Sequence, residues 1–149
     1  MMKIYLDVCC LNRPFDDSTQ DRIRLESEAI LTILERCLQG NWSLVISEIT
    51  EAEIDRIPNN DRKQKVRSLL LIHREYRMVD TSIEKRAKEI QKLTVKAYDA
   101  LHIACAEKSK VDIFLTTDDS LLNKVSRNRH ALKVRLENPL KWLTEVISQ

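Results

Sequence analysis

Glycine is nearly missing from this chain: Gly40 is the only one in 149 residues. Loops that cradle nucleotide phosphates need several glycines so that the backbone can come close, and their absence argues against a nucleotide cofactor. The cysteines Cys9, Cys10, Cys37 and Cys105 form no C-x-x-C pair, and two of them lie within apolar segments. That arrangement argues against a zinc knuckle or a secreted disulfide framework and reads as reduced core thiols. No apolar run approaches the roughly 18 residues of a membrane span, and Asp7 interrupts what would be the apolar region of a signal peptide. A cytoplasmic protein with no membrane partner is expected. An excess of one charge is missing as well, with 25 basic against 23 acidic residues, so any contact with nucleic acid must come from local patches.

What is present is an alternation of apolar strands and amphipathic helices over a length suited to one domain, residues 1–149. Short strands are expected at about 3–6, 43–46, 78–79, 113–116 and 133–136. Helices are expected at about 19–39, 48–58, 60–76, 82–93, 99–106, 120–127 and 139–147. Between the first strand and the first long helix the chain reads as a loop, and Gly40 stands where a helix ends. Strands alternating with helices imply a three-layer α/β/α fold around a mainly parallel sheet.

Four acids stand at the junctions of these elements. Asp7 closes Lys3-Ile4-Tyr5-Leu6, Asp118 follows Ile113-Phe114-Leu115-Thr116, Glu53 lies in the first turns of one helix and Asp99 opens another. Ligand crevices of open α/β sheets lie outside the carboxyl ends of the strands. Hard divalent cations prefer oxygen ligands, so convergent carboxylates suit one or two Mg²⁺ or Mn²⁺ ions.

Each acid also has a bland reading: Thr50-x-x-Glu53 matches a capping box, Asp99 and Asp118 fit helix N-caps, and Asp7 fits a turn. Periodicity separates two of them. Glu53 shares the apolar face of Ile49 and Ile57, while Glu48, Glu51 and Asp55 form the outward stripe. Asp99 begins a helix that is apolar nearly all round. No arginine or lysine shares either predicted face, so a cation or a proton must compensate these charges.

The same residues carry a resemblance. Leu6-Asp7, Ser47-x-x-Thr50-x-x-Glu53, Tyr98-Asp99-Ala100-Leu101-His102-Ile103-Ala104 and Leu115-Thr116-Thr117-Asp118-Asp119 resemble the ordered motifs of the PIN-domain family, which includes VapC-type toxins. The likeness runs over about residues 3–147. It implies a PIN-like α/β/α domain, Mg²⁺ or Mn²⁺ as cofactor, hydrolysis of an RNA substrate and, in many toxin members, a homodimer paired with a small antitoxin. It also implies Asp7, Glu53, Asp99 and Asp118 as catalytic metal ligands. Asp119 ranks behind Asp118, because the Thr-x-Asp pattern selects Asp118 and leaves Asp119 as the cap of the next helix. One departure stands out: many members carry asparagine two residues after the first aspartate, where this chain has Cys9, with Asn12 further on.

Such a site would activate water through its ions, with no side-chain base required. Crowded carboxylates should raise the pKa of at least one member until metal binds. His102 has no histidine or cysteine at ligand spacing and reads as a hydrogen-bonded histidine of the core or site edge. Arg13, Lys96 and Arg127, with Arg22 and Arg129, are candidates for contacts to RNA phosphates. The alternatives are a non-catalytic PIN-like interaction module and, ranked lower, a structure-specific DNA nuclease.

Overall fold

The computed structural model describes residues 1–148. Five strands form one sheet: β1 (Met2–Leu6), β2 (Trp42–Ser47), β3 (Glu75–Arg77), β4 (Ile113–Leu115) and β5 (Leu136–Glu137). Their order is β3-β2-β1-β4-β5 and every neighbouring pair is parallel. The chain therefore winds outward from β1 in one direction, returns, and winds outward in the other. The reversal falls between β1 and β4, the switch point at which α/β sheets open a crevice.

Alternation along the strands sorts the core into two layers, because successive side chains point to opposite faces. Ile4, Leu6, Leu44, Ile46, Ile113 and Leu115 face one side. Covering them are α1 (Val8–Asn12), α2 (Asp21–Leu38), α4 (Asn60–Ser68) and α8 (Pro139–Ile147). Tyr5, Val45, Phe114 and Leu136 face the other side. There they meet α5 (Thr81–Gln91), α6 (Ala97–Lys108) and α7 (Asp119–Ser126). The remaining helix, α3 (Glu48–Asp55), follows β2 without a connecting residue. None of the helices is long and apolar enough to cross a membrane.

The architecture is the expected one, and the differences are local. The segment after β1 is a short helix, α1, rather than a loop; the Asp7 side chain starts it by accepting a hydrogen bond from Val8 N at 2.9 Å. Gly40 does end α2: its φ of +87° is reached at no steric cost without a Cβ, and its N–H donates to Cys37 O at 3.1 Å. The helix expected through 76 ends at Ser68, tightens into a 3₁₀ turn at Leu69–Ile72, and yields to β3 at Glu75–Arg77 instead of 78–79. Pairing with Val45, Ile46 and Ser47 of β2 overrides local helix preference there. β5 lies at Leu136–Glu137 and not 133–136, because β4 is only three residues long and Leu136 and Glu137 are the residues opposite Phe114 and Leu115.

Candidate metal centre at the strand ends

Asp7 occupies the step from β1 into α1, buried at the switch point. Its carboxylate is held from three sides. Oδ1 accepts from Val8 N, and Oδ2 accepts from Thr116 Oγ1 at 2.8 Å and from the Cys9 thiol at 3.5 Å. Thr116 Oγ1 in turn accepts from Asp118 N at 3.1 Å, so one hydroxyl ties the acid after β1 to the acid after β4. Cys9 Sγ also accepts from Thr117 N at 3.4 Å. The thiol therefore stands at the junction of both loops. Asn12 does not take that place: its side chain donates to Val8 O and accepts from Arg62.

Glu53 is brought in by α3. Ser47 caps this helix, accepting from Ile49 N and Thr50 N, while Thr50 Oγ1 accepts from Ser47 N. The capping box is thus Ser47 with Thr50, and Glu53 one turn later is left free to point at the site. Its Oε1 lies 2.9 Å from Nε2 of His102, which is fully buried on α6. The other ring nitrogen, Nδ1, is 2.6 Å from Tyr5 Oη, and Tyr5 Oη is 2.6 Å from Ser47 Oγ. Hydrogen-bond logic orders this chain. Ser47 Oγ already accepts two backbone N–H groups, so its proton goes to Tyr5; the Tyr5 O–H goes to Nδ1, and Nε2–H donates to the Glu53 carboxylate. Burial drives the Tyr5 phenol far above its usual range and keeps that proton in place.

Asp99 stands in the first turn of α6 and is half-buried, with Ala97 rather than Asp99 as the first helical residue. Asp118 is exposed and caps α7, its side chain accepting from Leu121 N at 3.2 Å. This corrects the assignment of that cap to Asp119, which instead forms a bidentate pair with Arg22 at 2.7 and 2.9 Å. Asp119 is spoken for and stands outside the site.

Electrostatics join the four acids. Asp99 is pushed up to about 6 by burial first and then by the charges of Asp7, Asp118 and Glu53, against an opposing pull from His102. Asp7 is raised by burial and the charge of Glu53, even though His102, Thr116 and Cys9 pull it down. Among the described residues no arginine or lysine forms an ion pair with any of the four; Glu53 has only His102. Other acids of the chain, such as Asp16, Glu26, Asp55, Glu107 and Asp119, are matched by basic side chains. Unmatched, partly buried carboxylates with oxygen donors are a donor set that suits a hard divalent cation.

Asp7, Glu53 and His102 each place one atom within 4.8 Å of the others. Asp99 and Asp118 lie outside that tight group. His102 is the weakest ligand of the three, because both ring nitrogens are engaged; its place is behind Glu53, whose orientation it fixes. Of the cationic candidates, Arg13 turns inward, with Nε 3.1 Å from Glu26 Oε1 and Nη1 bonded to Asp16. Arg22 is also engaged, leaving Lys96 ahead of α6, Arg127 at the end of α7 and Arg129 in the turn beyond it as exposed groups.

Two groups escaped the sequence reading. Thr116 was read only as part of a strand-end motif, and nothing in a single sequence says that its hydroxyl bridges two acids. Glu26 is 1 % exposed and sits among Arg13, Arg22 and Asn138. Its spacing from Ala29, Ile30 and Ile33 places it on the apolar face of α2, and the reasoning applied to Glu53 would have found it.

A parallel α/β domain with unmatched carboxylates at its switch point defines a class, and comparison gives the family. Residues 4–128 match the PIN domain model, and the chain belongs to the PIN-domain family. Among solved structures it is similar to VapBC2 from Rickettsia felis bound to a DNA fragment from the promoter, with 13% identity and a TM-score of 0.56, over 92% of this chain and 98% of that one. VapBC-1 from nontypeable Haemophilus influenzae gives 16% identity and 0.55, over 93% and 98%. PAE2754 from Pyrobaculum aerophilum gives 14% and 0.57, over 99% and 97%. These identities establish a shared fold. Among curated proteins, none matches this sequence.

Proposed function

We propose that this chain, as one PIN-like domain over residues 1–149, is a divalent-metal-dependent endoribonuclease of the VapC type. Asp7, Glu53, Asp99 and Asp118 would hold one or two Mg²⁺ or Mn²⁺ ions, directly or through water. The observation that carries this reading is the lack of any lysine or arginine partner for these four acids; burial and neighbouring carboxylates drive two of them, Asp7 and Asp99, upward. When bound, the ions supply a more acidic water as nucleophile and neutralise charge on the scissile phosphate and leaving oxygen.

The chain's own residues supply geometry and protons. Thr116, Val8 N–H and Cys9 fix the rotamer of Asp7. The chain from Ser47 through Tyr5 to His102 fixes the side chain of Glu53. Groups that orient ligands in this way commonly affect metal affinity as strongly as a ligand does. Asp118, exposed at the rim with only one oxygen engaged by its cap, has an oxygen free to face solvent and substrate. With VapBC structures among those it is similar to, a small antitoxin and a second copy of this chain are the partners that fit this reading.

The test is cleavage of a panel of single-stranded and hairpin RNAs with Mg²⁺ or Mn²⁺, by wild type and by Asp99→Asn. Wild type should cut and Asp99→Asn should lose about a hundredfold or more in rate, because a neutral amide holds a divalent ion less well than a carboxylate. Equal rates in the two proteins, or no cutting by either across the panel, would assign the chain to the non-catalytic alternative. Selective cutting of branched DNA would point to the structure-specific nuclease.

A further inference from the structure

A recess of about 980 Å³ opens beside the carboxylate site, between α7 and the edge strand β5. Asp119 lines one end of it, the residue next to Asp118, and Ser126 lines it at the far end of α7. Ser126 is seven residue steps along the helix from Asp119, a run of about 10 Å at 1.5 Å per residue. Leu121 and Val125 are buried, and α7 lines the recess with Asp119, Asn123 and Ser126 beside Leu122 and Val125. Across from it the chain contributes Arg129, Lys133, Arg135 and Lys141, with Glu137 as the one acid on that side.

The balance of charge there is uneven. Arg135 pairs with Glu145 at 2.9 Å, and Glu137 lies 3.6 Å from both Arg135 and Lys141. Asp119 is neutralised by Arg22. Among the described residues, Arg129 and Lys133 have no ion-pair partner. We propose that this recess carries the phosphodiester backbone of single-stranded RNA on one side of the cleaved bond, with Arg129 and Lys133 meeting phosphate oxygens. The inference rests on the nuclease reading of the carboxylate site. A strand lying on that site must leave it in some direction, and this basic channel begins one residue from Asp118 and runs for the length of α7. Leu122, Val125, Leu132, Val134 and Leu136 apart, its lining is charged or polar, and the two cations on it without ion-pair partners suit a polyanion.

Arg129 and Lys133 precede the edge strand β5, and reversal to glutamate keeps a charge at each position and changes only its sign. The experiment is fluorescence anisotropy of a labelled, mixed-sequence single-stranded RNA with Asp99→Asn protein in EDTA, so that nothing is cut, over a series of salt concentrations. Adding Arg129→Glu and Lys133→Glu should weaken binding about tenfold or more, and should lower the slope of log K against log salt by about 1.4, the loss of two single-strand phosphate contacts. The control is Arg24→Glu with Arg36→Glu on α2, an equal change of net charge on the opposite face of the sheet. Weakening of the control by as much as the channel variant would overturn the proposal. So would an RNA affinity unchanged in the channel variant. Failure of the channel and failure of the nuclease are separable: a wild type that cuts while channel reversal changes nothing refutes the channel alone. A wild type that cuts nothing while channel reversal abolishes RNA binding refutes the nuclease alone.

Discussion

Glu26 offers the sharpest test of how the site is held, because this fully buried acid sits among cations rather than among other acids. Its Oε2 accepts from Arg22 Nε at 3.1 Å and from Asn138 Nδ2 at 2.7 Å. Its Oε1 lies 3.1 Å from Arg13 Nε, in charge contact without hydrogen-bond alignment. Arg22 continues to Thr117 O at 3.1 Å and to Asp119, gripping the turn that presents Asp118. Asn138 caps α8, and Arg13 holds the 3₁₀ turn after α1. Glu26→Ala would leave the half-buried Arg13 with only Asp16 as a partner and would open a gap under α2. Breaking a buried pair from one side costs about 3–5 kcal/mol. For a domain of this length, about 2–4 °C of Tm accompany each kcal/mol, so thermal melting followed by circular dichroism should fall by roughly 6–20 °C. The double variant Arg13→Met/Glu26→Leu removes both charges and keeps volume, and should recover at least half of that loss. A single Glu26→Ala variant that melts within about 2 °C of wild type would refute the view that this buried glutamate organises the loops around it.

Two further outcomes follow from the carboxylates themselves. Asp99 sits at about 6 in the fold against 3.8 unperturbed, so the folded chain holds that proton more tightly. Its contribution to the metal-free fold is therefore full below the unperturbed value and is lost as pH rises through about 6. Divalent metal acts in the opposite sense, because it needs the charged form. Mn²⁺ at a hundred times its Kd should stabilise the fold by about 2.7 kcal/mol near pH 7.5, roughly 5–10 °C in Tm, and by much less near pH 5; a melt unmoved by Mn²⁺ and Mg²⁺ at the higher pH would count against the site. Thr116→Val deletes the hydroxyl that donates to Asp7 and accepts from Asp118 N, and should weaken Mn²⁺ binding about 10- to 100-fold by calorimetry while the far-ultraviolet spectrum is unchanged.

How much was legible beforehand depends on the range of the forces involved. The alternation of Ile4, Tyr5 and Leu6 and the apolar stripes of the helices report local geometry, and they sufficed for a parallel α/β/α sandwich. Gly40 marked the end of α2 because a positive φ is a property of one residue. Glu53 could be placed inward from its helical phase alone. Boundaries failed where pairing decides: β3 and β5 lie where the registers of β2 and β4 put them, and local preference does not contain that information. The cap of α7 was assigned to Asp119 for the same reason. Asp118 and Asp119 are equivalent as sequence neighbours, and the position of Arg22 on a distant helix separates them.

The sequence by itself determined which residues are acidic, which helical face or strand end each occupies, and the order in which the chain visits them. Only tertiary structure decided what each acid meets. Asp7 found Thr116 and Cys9, Glu53 found His102, and Asp119 and Glu26 found Arg22. Period and propensity act over a few residues, whereas a carboxylate's compensation depends on groups brought within a few ångströms from positions far along the chain. The same residue type therefore becomes half of a salt bridge in one place and an unmatched carboxylate in another.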